Sequence, residues 1–162
     1  MAELTNLETK LGEVIGLAMA AQAATEKVEK LTKDRTLVKQ LKTMRQEAAM
    51  AEKRGTELAG SFDGKKSKIV AEARTVKKKG ADMLKTYLDR DADELDGFEF
   101  LTMAEAGEVG HWQVLNQLNK KARHPGVGEL VKVQLAIQKR HLRDVMAASV
   151  MLAAKEDPNA EA

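Results

Sequence analysis

Apolar residues recur at alternating spacings of three and four along almost the whole chain, the pattern of helices that bury one face. From about Glu3 to Thr32 the stripe is Leu4, Leu7, Leu11, Val14, Ala18, Ala21, Thr25 and Val28. From about Thr36 to Ala59 it is Leu37, Leu41, Met44, Ala48, Ala51, Gly55 and Leu58. Only the polar turn Lys33-Asp34-Arg35 separates the two, so they are expected to lie antiparallel. The middle of the first stripe, Gly16 to Ala24, is built largely of small residues. Such a stretch either lets another helix approach closely or leaves room inside.

Gly60 to Gly64 reads as a loop. An amphipathic stretch follows from about Lys65 to Leu88, with Ile69, Ala73, Val76, Met83 and Tyr87 on one side. Its other side is basic, and Gly80 is expected to weaken it midway. The acidic segment Asp89 to Asp96 then offers Asp91 or Asp93 as a cap for a third bundle helix, from about Glu94 to Arg123. His124-Pro125-Gly126 ends it, and a fourth runs from about Gly128 to Lys155. His124 is placed to interact with the C-terminal end of the third helix. A crossover helix of about 24 residues reaches roughly 36 Å, enough to carry the chain back along the bundle. The expected domain is residues 1–156, with a frayed tail over 157–162.

Composition agrees with this. Aromatic residues are 3% of the chain, which points away from a β-sandwich or barrel, and the two prolines, Pro125 and Pro158, both read as punctuation. With no cysteine, disulfides, iron–sulfur clusters and thiolate zinc sites are excluded. The N-terminus lacks the charged and apolar regions of a signal peptide, and no apolar run is long enough to span a membrane. A cytoplasmic protein with no membrane partner is expected. A net charge of +2 selects no partner by itself.

The sharpest chemistry lies on the third bundle helix. Its stripe runs Phe98, Leu101, then Trp112 and Leu115, and the intervening positions are Glu105 and Glu108. A buried carboxylate is costly unless it is paired or coordinates a metal. His111 follows Glu108 by three residues, a spacing that lets both groups address one centre. On the fourth helix Leu130, Ile137, Ala148 and Leu152 mark the stripe, and His141 falls on it, three residues after Gln138. Counted from the helix ends, Glu47, Glu108, His141 and Gln22 all fall at roughly 17–20 Å depth. Four helices thus bring polar groups to one level.

The stretches LGEVIGLAMAAQAATEKVEKL, LKTMRQEAAMAEKRGTELAG, GFEFLTMAEAGEVGHWQVLNQLNKKA and AIQKRHLRDVMAAS resemble the ferritin-like superfamily, closest to its small bacterial members of undefined role. The resemblance implies an all-α, ferritin-like four-helix bundle with a long, partly helical crossover between its second and third helices. It also implies bound iron, manganese or zinc, as one or two ions, and with two irons the reduction of oxygen or peroxide in an oxidative-stress role. Carried over, Glu108 and His111 match a Glu-x-x-His, and His141 matches a second histidine, with Gln138 in place of its Glu. Glu47 matches a helix-two Glu, though Met50 stands where a histidine would follow. On the first helix Glu26 is the nearest carboxylate in face and Gln22 the nearer in depth, with Glu13 a further choice.

Plainer readings stand beside these. Glu105, Glu108, His111 and His141 also suit a buried hydrogen-bonded network paired with Arg45 or Arg140, which makes the chain a non-catalytic scaffold with a degenerate site. Met19, Met44, Met50, Met103, Met146 and Met151 read as core filler rather than soft-metal ligands. The basic crossover face reads as solvated rather than as a nucleic-acid surface, because it lacks interleaved aromatics. Asp89, Asp91 and Asp93 begin like a calcium loop, but Glu94 and Phe100 occupy its required Gly and Glu positions. Leu17, Ile15 and Val131 lie off the main stripes and suit a homodimer.

Overall fold

The computed structural model describes residues 3–161. Residues 1, 2 and 162, at the outer ends of the expected domain and tail, lie outside it. Among the described residues there are five helices and no strand. They are α1 (Asn6–Leu31), α2 (Arg35–Ala59), α3 (Lys66–Tyr87), α4 (Glu94–Ala122) and α5 (Pro125–Ala153). The all-α expectation stands, but with five helices rather than four and a crossover. No helix among them is long and apolar enough to cross a membrane.

Local chemistry sets the helix starts. Thr5 and Glu8 form a reciprocal capping box on α1, and Asp93 and Asp96 form another on α4. Asp34 caps α2 by accepting from the Thr36 and Leu37 N–H groups. The His124 side chain caps the helix after it, not the one before. Its Nδ1 accepts from the Val127 N–H at the start of α5, while its ring stacks on Phe62. Arg123 ends α4 in the left-handed region, at φ 55°. The Asn119 amide holds the turn by bonding both the N–H and the C=O of His124.

α1 is the central element and packs against α2, α3 and α4; α4 packs on α5, and α5 also meets α2. Neighbouring contacts give the directions. Gly97 of α4 abuts Val28, and His111 lies beside Glu13, so α4 runs antiparallel to α1. α3 runs parallel to α1, with Gly12 against Ile69, Gly16 against Ala73 and Ala20 against Gly80. A Cβ on Gly16 would lie 2.3 Å from the Ala73 carbonyl oxygen, so glycine is what admits α3 at this distance. Gly80 plays the same part from the other side and does not interrupt α3, because it sits against Ala20.

Burial corrects the reading of two of the three apolar residues that lie off the main stripes, while the third, Leu17, is partly exposed. Ile15 is buried against Gly55, and Val131 is buried too. Neither is left over for a dimer. The methionine reading also changes. Met44 is buried, whereas Met50, Met103, Met146 and Met151 are substantially exposed.

The apolar interior is in two parts. Around the α1–α2 turn lie Val28, Leu41, Met44, Phe98, Leu101 and Val145 with their neighbours. At the opposite end lie Leu11, Val14, Ile69, Trp112, Leu115 and Val127 with theirs. Between them, in chain order along each helix, falls a layer of polar residues.

A buried carboxylate and imidazole layer

Along α4 the residues between the two apolar clusters are Glu105 and Glu108, and along α5 they are Gln134, Gln138 and His141. All five are buried, with Glu105 2%, Glu108 3% and His141 2% exposed. Along α1 and α2 the buried residues between the two clusters are small, among them Ala18, Ala21, Ala48 and Ala51. Glu47 of α2 reaches the layer from its rim, with 20% of its side chain exposed.

His141 is the hub. Its Nε2 lies 3.4 Å from Glu47 Oε1, and its Nδ1 lies 3.6 Å from Glu105 Oε2. Glu47 is also ion-paired with Arg140, so this carboxylate joins two cationic or donor groups of α5. Burial raises the Glu47 proton affinity. The Arg140 and His141 contacts outweigh that and hold the carboxyl below its usual range. Glu108 behaves oppositely. Burial, and after it the nearby Glu105 charge, push its carboxyl well above the usual range. Its Oε2 accepts from the Gln138 amide at 2.8 Å.

The layer is not fully satisfied from within. Glu105 Oε2, both polar atoms of Gln134, Gln138 Oε1 and Trp112 Nε1 are buried with no hydrogen-bond partner among the described residues. Such orphaned groups cost about 1–3 kcal/mol each when nothing meets them. Gln134 was not singled out by the sequence reading, although its place was legible. It lies four residues after Leu130 and four before Gln138, on the same stripe.

Two of the expected ligands stand elsewhere. His111 leaves the layer on the α1 side, with 41% of its side chain exposed and its Nδ1 3.2 Å from Glu13 Oε2. Lys10 Nζ is 3.3 Å from the same nitrogen and pairs with Glu13. Glu26 faces solvent, 58% exposed, and pairs with Lys30 on the outside of α1. The reason is rotational. Thr25 takes the inward position, and the 100° step per residue swings Glu26 outward. Gln22 bonds Glu52 of α2 and does not reach His141. Arg140, weighed as a partner for buried acids, does pair with Glu47, while Arg45 pairs with Glu29.

Chemically the layer offers carboxylate oxygens, one imidazole and amide oxygens in a buried setting. That is a mixed N/O set of the kind iron, manganese and zinc accept. Glu105, Glu108 and His141 are the buried candidates for holding a cation, with Glu47 at the rim. Among the described residues, however, no three His, Cys, Asp or Glu side chains close on a common point as a formed metal site. Glu105 and Glu108 also line a cavity of about 220 Å³ between α1, α3 and α4. No family model, curated protein or solved structure matches the chain.

Proposed function

We propose that the chain is a ferritin-like helical protein whose buried layer takes a single transition-metal ion, iron, manganese or zinc. The helix order supports a ferritin-like arrangement. Two antiparallel pairs, α1–α2 and α4–α5, are joined by a helix that carries the chain back along α1. The observation that carries the metal reading is the polar layer itself. Two carboxylates and an imidazole lie between two apolar clusters, and Glu105 Oε2 has no hydrogen-bond partner there.

In this reading Glu105, Glu108 and His141 hold the ion. Gln138 fixes the Glu108 carboxylate through its amide, and Arg140 anchors Glu47 beside His141. Bound iron would supply one-electron chemistry toward oxygen or peroxide. A second ion is not part of the proposal, because His111 and Glu26 lie outside the layer.

A second reading has its own observations: the Glu47–Arg140 ion pair and the lack of a closed ligand group among the described residues. In it the layer is a structural network in a non-catalytic scaffold, and replacing it by apolar side chains is neutral or stabilising by about 1–4 kcal/mol.

Elemental analysis of freshly purified protein separates the two. The metal reading predicts a stoichiometric transition metal that Glu108→Ala removes. Metal-free protein that takes up none of the three ions on dialysis, together with a Glu108→Leu, His141→Leu double variant as stable as the parent, establishes the scaffold.

A further inference from the structure

The cavity between α1, α3 and α4 is lined mainly by residues outside the polar layer. Its walls are apolar or small, including Leu17, Ala20, Ala21, Met83, Phe100 and Leu101. Met83 and Met103, 46% and 40% exposed, mark its mouth. Glu105, Glu108 and the partly exposed His111 are its polar lining, and Glu105 Oε2, 3.6 Å from His141 Nδ1, accepts no hydrogen bond among the described residues. A largely apolar chamber with buried carboxylates in its lining has the form of a small-molecule site: bulk apolar contact with a few polar groups that fix orientation.

We propose that this cavity binds a small primary amine with an apolar body, its ammonium resting on the Glu105 carboxylate. The sign of the head group follows from these carboxylates. A carboxylate ligand would bring a third acid beside Glu105 and Glu108, whereas an ammonium supplies donors and opposite charge. The body follows from the volume. An apolar cavity of about 150 Å³ accepts benzene, so about 220 Å³ accepts a ring with a short aminoalkyl arm. Glycine has a role here too. A side chain added at Gly107, on the cavity wall, would meet nothing within 4 Å, so the position is open for a plug that leaves the fold intact.

The inference does not rest on the metal reading. A metal ion and an ammonium exclude each other at these carboxylates, so the test uses chelator-treated full-length protein. Phenethylamine, 2-phenylethanol and 3-phenylpropionate are compared by isothermal titration calorimetry and by amide NMR shifts. Saturable binding of the amine is expected, with shifts at Ala20, Ala21 and Gly107 and little or no binding of the acid. Glu105→Gln weakens it roughly ten- to a hundredfold, the loss of a charge-assisted hydrogen bond. Gly107→Leu, and independently Ala104→Leu, fill the wall and abolish it. The proposal is overturned if the amine does not saturate, if the alcohol binds as tightly as the amine, or if both filling variants bind the amine like the parent. Elemental analysis answers the metal question separately, so either idea can fail while the other stands.

Discussion

Glu108 carries a cost that the fold imposes on it. Burial, then the neighbouring Glu105 charge, raise its proton affinity well above that of the unfolded chain. A carboxyl shifted this way binds more protons folded than unfolded. Its contribution is therefore fully present below the unfolded value near 4.5 and is lost as pH rises through the folded value. In metal-free protein Glu108→Gln should raise the urea midpoint at neutral and alkaline pH and leave it nearly unchanged in acid. An equal effect at both ends would detach the cost from ionisation. Arg123 carries strain of a different kind. Its left-handed backbone disfavours a residue with a Cβ, so Arg123→Gly should stabilise by up to about 1 kcal/mol in denaturant melts. At this scale the sequence was informative where a polar residue interrupted an apolar stripe, as at Glu105, Glu108 and His141. It was less so where one residue of rotation decides, as at Glu26, or where a side chain has room to turn away, as at His111 beside Glu13 and Lys10.

The helices themselves were legible because caps, stripes and breakers agree. Asp93 as a cap, the short α1–α2 turn and the stop before Pro125 all appear in the structure. What periodicity could not tell is how many neighbours a helix has. α1 is covered on three sides, so residues off its main stripe, such as Ile15 and Gly16, are as buried as those on it. The small-residue run of α1 does both things expected of it. Gly16, with Gly12 one turn before the run, admits α3, while Ala20, Ala21 and Ala24 line the cavity. α3 is held mainly through that close approach, with Ile69 and Ala73 its buried residues. Gly16→Ala should therefore cost roughly 1–3 kcal/mol, the usual penalty for overpacking. Hydrogen exchange should show that loss first in α3; uniform loss of protection across all five helices would contradict this division of labour.

At the scale of the whole molecule, a polar layer divides the interior into two apolar clusters, and the fold retains it although apolar side chains would pack there more cheaply. A structural network would be expected to satisfy its own atoms, yet Glu105, Gln134 and Gln138 each keep a buried polar atom without a hydrogen-bond partner among the described residues. A bound cation with its attendant water, as proposed, would meet that demand. The most direct measurement is the melting temperature of chelator-treated protein before and after adding back iron, manganese or zinc. At an ion concentration about a hundredfold above its dissociation constant, a gain of about 2.7 kcal/mol is expected. For a domain of this size that is a rise of roughly 5–10 °C, absent in Glu108→Ala. A melting temperature that none of the three ions changes would contradict it.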